Sequence, residues 1–306
     1  MKRSTRSVAS KLALFGAAVI WGGSFLIVKN SMDVMQPHML LAFRFTIGTL
    51  LLGTIFRKKL KLINKDYLLK GGLIGVCLFL AYSLQTIGLI DTTPGKNAFL
   101  TAIYCVLVPF LLWALDKKKP DRYNIIAAVI TIIGIGLVSL NSGFSVGRGD
   151  TLTLASGALY AFHVIFVSKF GKDKDPILLT IIQFAYAAVF SWIIALLFED
   201  FPTQWSLQTI SGLFYLAVFA TSVALLLQNV GQKYTKPAPA SIILSLEAVF
   251  GVLFSVIFYH EQITLKLLAG FLFIFIAVII SETKLSFLTR SVNAEIELQD
   301  AYEQAD

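Results

Sequence analysis

The stretch QTIGLIDTTP, residues Gln85–Pro94, recurs further along the chain as QNVGQKYTKP, residues Gln228–Pro237, with Gln, Gly, Thr and Pro in the same places. These two copies are 143 residues apart. A second pair is 139 residues apart: WGGSFLIVK, residues Trp21–Lys29, corresponds to YAFHVIFVS, residues Tyr160–Ser168. One small difference in loop length accounts for the two offsets. The sequence therefore consists of two related halves.

The composition is that of a membrane protein. Of the 306 residues, 57% are hydrophobic and only 14% are charged, and the mean hydropathy is +0.77. A soluble domain has about a quarter of its residues charged. Crossing about 30 Å of hydrocarbon at 1.5 Å per residue requires roughly 20 apolar residues in a row.

Apolar runs bounded by charged residues or by Pro and Gly predict ten spanning helices. They cover residues 11–30, 37–57, 68–90, 94–115, 122–140, 150–169, 176–198, 207–234, 237–259 and 264–282. The chain starts with a basic segment and then an apolar run, as a signal peptide does. Because the run continues through Val28, we predict that it stays in place as the first helix.

Each half contains five of these helices, and because five is odd the second half must enter the membrane from the opposite side. The predicted fold class is therefore all-α integral membrane, with ten transmembrane helices as two inverted five-helix repeats. We expect a cytoplasmic N-terminal segment at 1–10, the first repeat at 11–140, the inverted second repeat at 150–282 and a cytoplasmic acidic tail at 283–306. Inverted repeats are typical of secondary transporters, whose central site faces the two sides in turn.

The distribution of basic residues predicts the orientation. With the N-terminus placed inside, 21 of the 26 Lys and Arg residues fall on the inner side. Four fall outside, namely Lys29, Lys96, Arg148 and Lys266, and Arg44 lies within a helix. Such a bias favours two cytoplasmic termini. The net charge of +8 is dispersed over short loops, so it indicates membrane orientation rather than binding to nucleic acid.

Several pieces of the chain, over residues 11–282, resemble ten-helix transporters of the EamA type in the drug/metabolite transporter superfamily. They are WGGSFLIVK in the first helix, FRF (Phe43–Phe45) in the second, LVP (Leu107–Pro109) in the fourth and SLEAVFGVLFSVIFYHEQIT (Ser245–Thr264) in the ninth. In the last piece the family has Pro after the first Glu and Leu-Gly before the second. Because this chain has Ala248 and Tyr259–His260 there, we expect a different local kink and outer loop. The resemblance implies transport of a small metabolite without naming it.

Three aromatic side chains and one acidic side chain are predicted to lie at the same depth in the membrane. Trp21, Tyr104, Tyr160 and Glu247 each lie ten residues past the start of their predicted helix, which places them roughly 15 Å deep, near the midplane. Trp21 and Tyr160 are equivalent in the two repeats, and so are Tyr104 and Glu247. We therefore predict that these four residues line a substrate-binding cavity at the interface of the repeats.

The two charged residues within helices each have two interpretations. An acid at the centre of a spanning helix costs about 2.5–3.5 kcal/mol, so Glu247 is expected to face a cavity. There it would bind a cationic amine or exchange a proton. Alternatively, it is a protonated carboxyl or one half of an ion pair that fastens helices together. Arg44, about 10 Å inside the second helix, would bind a carboxylate or phosphate through its planar fork, or act as a structural anchor.

Further polar residues are candidates for the same site. His163, one turn from Tyr160, would relay protons or simply be packed and hydrogen bonded. Gln85 and Gln228 are equivalent amides, and together with Gln183 they would line the cavity or join helices. Asn97 would cap the fourth helix or gate the cavity.

We therefore expect a secondary active or facilitative transporter, not an enzyme, that moves a small-molecule substrate by alternating access. An exported amino acid or related compound suits Glu247 and Arg44 together. A hydrophobic or quaternary-ammonium cation suits Glu247 and the aromatic residues without Arg44. An alternative of another class is a membrane enzyme acting on lipid substrates, which would need a cluster of catalytic acids or His near the interface.

The remaining expectations concern partners and location. Cys77 and Cys105 lie inside apolar runs and are expected to be packed thiols. We expect no metal and no cofactor. We expect a monomer or homodimer in the lipid bilayer of the plasma (inner) membrane, multi-pass, with both termini cytoplasmic.

Overall fold

The structure is a computed structural model that describes residues 2–117, 119–140, 146–235 and 237–284. Most of the predicted acidic tail, from residue 285 onward, lies outside the described residues. So do Lys118, Lys236 and Arg290, three of the basic residues used to predict the orientation.

The described residues form ten long helices, which we number in chain order, and one short 3₁₀ helix, Arg57–Leu62, which follows the second of them. The long helices are α1 Lys2–Ser31, α2 Pro37–Ile55, α3 Lys65–Ile90, α4 Pro94–Asp116, α5 Arg122–Ser139, α6 Arg148–Phe170, α7 Pro176–Phe198, α8 Leu207–Tyr234, α9 Pro237–Phe258 and α10 Leu265–Thr283. Eight of them are long and apolar enough to cross a bilayer, and two shorter apolar stretches lie in α9 and α10. The predicted all-helical membrane fold is confirmed.

Four helices begin at a proline, and the four prolines form two equivalent pairs. Pro37 and Pro176 begin α2 and α7, and Pro94 and Pro237 begin α4 and α9. Proline is favoured at the first position of a helix because the backbone N–H there has no partner within the helix. The same local signal therefore sets the start of equivalent helices in both halves.

The packing of the helices is unchanged when the two repeats are exchanged. Helix α1 packs against α8 and α9, and its equivalent α6 packs against α3 and α4. Helix α2 packs against its own equivalent α7, and α5 packs against α10. This is the pattern that a pseudo-two-fold axis requires. The two inverted five-helix repeats predicted from the sequence are therefore confirmed.

Large apolar side chains lie on the outside of the bundle. On α5 an exposed set repeats with helical spacing along one face, namely Ile125, Ile126, Val129, Ile132 and Ile133. A soluble protein rarely exposes so continuous an apolar face, whereas hydrocarbon chains cover it without cost.

Three predicted helices differ from the structure. Helix α1 begins at Lys2, well before the predicted start at residue 11, because hydropathy marks the part of a helix that lies in hydrocarbon and not its polar extension. Helix α4 is interrupted at Ala102–Ile103. Helix α8 contains a π-helical segment, Tyr215–Val223. Helix α9, for which we expected a local kink different from that of the family, runs unbroken through Ala248.

Gly22 allows α1 to lie directly against α9. A Cβ atom added at Gly22 would lie 2.3 Å from the Phe250 Cβ and 3.0 Å from the Gly251 amide nitrogen. Small residues at such crossings let two backbones approach closely in a membrane, where no hydrophobic effect drives helices together. Trp21, the neighbour of Gly22, is held in place by this contact.

We predict that Gly22→Ala destabilises the protein. The added methyl group overlaps Phe250, and overpacking of this kind costs about 1–3 kcal/mol. The measurement is thermal unfolding of the purified protein in detergent, with Gly53→Ala as the matched control. Gly53 is also helical but has no atom within 4 Å of an added Cβ, so its replacement should be neutral or slightly stabilising. Equal unfolding temperatures for the two variants would contradict the close approach.

Candidate functional site

A buried cavity lies where the two repeats meet. Eight of the candidate side chains line it, namely Trp21, Arg44, Gln85, Tyr104, Tyr160, His163, Gln228 and Glu247. Two other candidates, Gln183 and Asn97, do not line it, and Gln183 lines a second cavity instead. The volume of the cavity is about 50 Å³. The structure thus brings the predicted residues together, while their role in binding a substrate stays a prediction.

Several of the lining residues are equivalent in the two repeats. Beyond the predicted pairs, Ser24 corresponds to His163 and Phe25 to Val164, at the same offset of 139 residues. A cavity on a pseudo-two-fold axis must be lined in this way, because each side chain close to the axis has its equivalent across it. The lining also includes Tyr82, which the sequence analysis missed. Its position one turn before Gln85 on the same helix was the signal available in the sequence.

Gln85 links three helices at the edge of the cavity. The Tyr160 hydroxyl donates a hydrogen bond to Gln85 Oε1 at 3.0 Å, and Gln85 Nε2 donates to Thr101 Oγ1 at 3.0 Å. These bonds connect α6, α3 and α4. Of the two interpretations of Gln85, lining the cavity and joining helices, the structure shows both. Its equivalent Gln228 is different, because its Oε1 has no hydrogen-bond partner among the described residues.

The start of α4 shows that one prediction was wrong. Asn97 does not cap this helix, because the cap is Thr93, whose hydroxyl oxygen accepts from the Lys96 amide at 3.3 Å. The Asn97 amide instead donates to the backbone oxygen of Gln85 at 3.2 Å. The Glu261 carboxylate accepts from the Thr93 hydroxyl and, at 3.1 Å, from the Gly95 amide. Glu261 therefore fastens the end of α4 and does not face the cavity.

The interruption of α4 lies beside the cavity. The helix stops at Thr101 and resumes at Tyr104, and both of these side chains line the cavity. Ala102 and Ile103 keep right-handed helical dihedral angles, and the amides of Cys105 and Val106 donate to the carbonyls three residues back, so the helix is locally tightened into a 3₁₀ turn. The equivalent helix α9 is continuous around Glu247. The two halves therefore present Tyr104 and Glu247 from different backbones.

The π-helical segment of α8 orients two of the predicted residues. Trp21 Nε1 donates to the Ala220 carbonyl at 2.8 Å, and Arg44 Nε donates to Thr221 Oγ1 at 3.2 Å. The Thr221 hydroxyl in turn donates to the Leu216 carbonyl, five residues back, at 2.7 Å. Segments of π-helix are rare and occur frequently at functional sites. The adjacent Thr221 and Ser222 in an apolar helix were the signal in the sequence.

The Arg44 side chain is almost completely buried, at 1% exposure. Its guanidinium lies over the Tyr82 ring, 5.1 Å from the ring centroid. The ring face attracts a cation electrostatically, more strongly once water is excluded. Arg44 forms no ion pair with any described carboxylate. The Tyr82 ring and Thr221 are therefore the contacts that hold this cation in the helical bundle.

The Glu247 carboxylate lines the same cavity as Arg44 but belongs to the other repeat. The residue is 7% exposed and, among the described residues, forms no ion pair. The ion pair that fastens helices, one of the two interpretations of Glu247, is thus not present in this part of the chain. Arg44 and Glu247 line one cavity without pairing with each other.

His163 connects the cavity to a neighbouring helix. Its Nε2 lies 2.9 Å from Gln183 Oε1, and both residues are buried. This bond fits the interpretation of His163 as packed and hydrogen bonded. His163 nevertheless also lines the cavity, so a role in proton transfer stays a prediction.

Ten helices in two inverted repeats around a buried polar cavity define the class of protein, an integral multi-pass membrane transporter. The chain belongs to the EamA-like transporter family, of the drug/metabolite transporter superfamily, which it matches over residues 9–140 and again over residues 147–283.

Proteins named as transporters are similar to this chain along nearly its whole length. A protein of Archaeoglobus fulgidus named as an uncharacterized transporter is 34% identical over 274 residues, 88% of this chain and 84% of that protein. The uncharacterized inner membrane transporter YedA of Escherichia coli is 24% identical, over 94% of this chain and 95% of its own. A crystal structure shares the fold at a TM-score of 0.66 and 16% identity, covering 91% of this chain and 98% of that one.

We predict that Trp21→Phe lowers the stability of the protein. The Phe ring cannot donate to the Ala220 carbonyl, and a buried acceptor left without its donor costs about 1–3 kcal/mol. The measurement is the thermal unfolding midpoint in detergent. Trp113→Phe is the matched control, since Trp113 is 47% exposed on the outside of α4. An equal loss of stability in the control would show that the Ala220 bond contributes nothing of its own.

Proposed function

We propose that this transporter carries a small zwitterionic metabolite, an amino acid or related compound, and exports it by alternating access. The observation that carries the proposal is the pair of buried charges, Arg44 and Glu247, which line one cavity and do not pair with each other. A buried charge is stable when it is paired and hydrogen bonded. A cargo with both a carboxylate and an ammonium group supplies a partner to each.

The side chains of Arg44 and Glu247 suit the two charged groups of such a cargo. The planar guanidinium of Arg44 matches the two oxygens of a carboxylate. Glu247 accepts hydrogen bonds from an ammonium group, and in the empty cavity a proton would neutralise it. Trp21, Tyr104 and Tyr160 supply apolar surface between the charges, and their ring faces attract a cation. Glu247 is therefore the first candidate for coupling transport to protons, with His163 second.

The cavity must widen to accept such a cargo. A volume of about 50 Å³ accommodates only a few water molecules, since each needs roughly 10–15 Å³ on this measure. Tyr160 and Tyr104, whose ring centroids are 6.5 Å apart, would separate as the two repeats move. Motion of one repeat against the other around a fixed site is how inverted-repeat transporters alternate their access.

A comparison of the two ends of the bundle supports alternating access. At the end where α1 and α3 finish, Lys29 Nζ donates to the carbonyls of Leu89, Ile90 and Thr92 at 2.7, 2.8 and 3.1 Å. Lys29 thereby ties α1 to α3 over the cavity. In the other repeat the equivalent residue is Ser168, which is too short to form these bonds, and a second cavity of about 340 Å³ opens there.

The proposed direction of transport, export, rests on the predicted orientation of the chain. The open end carries the lysine-rich connections, which the positive-inside rule assigns to the cytoplasm. Under that assignment the second cavity opens toward the cytoplasm, where cargo would enter. Release on the other side requires Lys29 to part from α3. The inner membrane in the name of the Escherichia coli relative supports a plasma membrane location.

A quaternary-ammonium or hydrophobic cation is the second candidate cargo. The Tyr82 ring and Thr221 hold Arg44, and if that is its whole role then Glu247 and the aromatic residues form a cation site. A lipid-modifying enzyme is not favoured, since the similar proteins are named as transporters.

Counterflow in proteoliposomes tests the proposal. We expect uptake of at least one of a panel of amino acids, and none of tetraethylammonium, with a dependence on an imposed pH gradient. Glu247→Gln should abolish uptake because the neutral amide cannot attract the ammonium group. Arg44→Lys should reduce it strongly because a point charge replaces the planar fork. Uptake of the quaternary cation that survives in Arg44→Lys would overturn the zwitterion in favour of the second candidate.

We predict that Lys29→Ser opens the end of the bundle that Lys29 closes. One charge-assisted hydrogen bond contributes about 1.5–3 kcal/mol, so losing even one shifts an equilibrium by roughly tenfold or more. The measurement is the rate at which a small thiol reagent modifies Leu89→Cys, in a chain with Cys77 and Cys105 replaced by Ala.

The control for this prediction is Lys266→Ser. Lys266 lies at the same end and also donates to a carbonyl, that of Leu140, away from the cavity. An unchanged modification rate in Lys29→Ser, or an equal rise in Lys266→Ser, would show that Lys29 does not hold this end closed.

A further inference from the structure

A second cavity lies at the lysine-rich end of the bundle, where α6, α7 and α8 meet. Its volume is about 340 Å³, larger than that of the central cavity. Its lining includes Gln183, Asn229 and Gln232, with Ser168, Lys172 and Lys233 also around it. We call Gln183, Asn229 and Gln232 the amide cluster.

Each side chain of the amide cluster has a polar atom without a hydrogen-bond partner among the described residues. These atoms are Gln183 Nε2, Asn229 Oδ1 and Gln232 Oε1. Gln183 is fully buried and Asn229 is 5% exposed. A buried polar atom left without a partner costs about 1–3 kcal/mol. The residues of the cluster that line this cavity thus carry one donor group and two acceptors whose hydrogen bonds are not satisfied within the described part of the chain.

Two of these side chains are held by their other ends. Gln183 Oε1 is bonded to His163 Nε2, and Asn229 Nδ2 donates to Thr180 Oγ1 at 2.6 Å. Because one end of each amide is already engaged, the opposite atom is positioned before any ligand arrives. Such preorganisation reduces the entropy lost on binding.

We propose that the amide cluster is a second binding site, which receives the cargo before it reaches the central cavity. The proposal rests on the proposed function and takes the same chemical class, a small molecule with a carboxylate and an ammonium group. The Gln183 NH₂ group donates to the carboxylate, and Lys172 and Lys233 add positive charge. The oxygens of Asn229 and Gln232 accept hydrogen bonds from the ammonium group.

The route between the two sites passes one contact. His163 lines the central cavity and Gln183 lines the second cavity, and a hydrogen bond joins these two side chains. Gln183 is the repeat equivalent of Arg44, so equivalent positions on α7 and α2 contact the cargo in succession. Exchange of the His163 bond for a bond to the cargo would open the passage.

The amide cluster belongs to one repeat only. In the other half, Asn229 corresponds to Thr86, Gln232 to Leu89 and Ser168 to Lys29. At that end Lys29 closes the bundle, as described above. The second site thus comes from a difference in sequence between two halves that share one fold. The other repeat also indicates a natural replacement for the amide cluster. It is Asn229→Thr with Gln232→Leu, because the equivalent helix has Thr and Leu at these two positions.

Protection from alkylation tests the site directly. The protein is the full chain with Cys77 and Cys105 replaced by Ala and with Ser168→Cys, an exposed position at the cavity. The probes are L-alanine, L-leucine, L-lysine and L-glutamate, each alone, against N-ethylmaleimide. At ten times the dissociation constant, occupancy slows alkylation about tenfold by mass action. Propionate and ethylammonium, each with one of the two charges, should protect less. Tyr234→Cys, at another exposed position of the cavity lining, replaces Ser168→Cys if that variant does not fold.

Three variants test whether protection from alkylation is specific to the amide cluster. The pair Asn229→Thr and Gln232→Leu should abolish protection. Glu247→Gln should retain it, because Glu247 lies in the central cavity. Lys65→Cys, exposed at the same end but outside the cavity, should show no protection at all.

The outcomes separate this inference from the proposed function. Absence of protection by every amino acid, or its loss in Glu247→Gln, overturns the second site. Uptake in proteoliposomes without protection overturns the second site and leaves the transport proposal standing. Protection without uptake supports the second site and counts against transport of the zwitterion.

Discussion

Each repeat contains five helices, and this odd number constrains the rest of the molecule. The second copy must traverse the membrane in the opposite sense, so the halves can pack only about an axis in the membrane plane. The exchange-symmetric contacts, α1 with α8 and α9 and α6 with α3 and α4, follow from it. Side chains that lie halfway along equivalent helices then meet at the axis. The cavity is therefore a consequence of the duplication.

The chemistry of the cavity arises where the halves differ. Arg44 is contributed by the first repeat, and its equivalent is Gln183; Glu247 is contributed by the second, and its equivalent is Tyr104. Hydrocarbon provides no hydrogen-bond partner for a polar group, so every such group must find its partner within the protein. The π-helical segment of α8 provides such partners for Trp21 and Arg44, namely the Ala220 carbonyl and the Thr221 hydroxyl.

The same difference between halves gives the bundle two unlike ends. Lys29 closes one end by three bonds to backbone carbonyls, while Ser168 leaves the other end open beside the amide cluster. If the two repeats were identical in sequence, closing one end of the bundle would be as favourable as closing the other. In the proposed alternating-access cycle, a lysine in one repeat only would favour one of the two access states, and transport would require this preference to be small enough for cargo to reverse it.

Much of the site was predictable because depth in a membrane can be counted. The predicted helix starts lie at residue 11, Asp150, Pro94 and Pro237, and a fixed rise per residue carries the count from each to the midplane. Trp21, Tyr160, Tyr104 and Glu247 were placed in this way. Tyr82 was missed because it forms no repeat pair of polar residues, its equivalent being Leu225.

The ten helices, the duplication, the inversion and the depth of the polar residues could be predicted from the chain alone, because each depends on local hydropathy, on prolines or on counting. The tight turn at Ala102–Ile103, the π-helical turn and the absence of a bond between Arg44 and Glu247 became visible only in the folded molecule. Those features depend on which partner a buried polar group finds on another helix. That partner lies up to two hundred residues away in the chain, as Ala220 does for Trp21, where no local pattern records it.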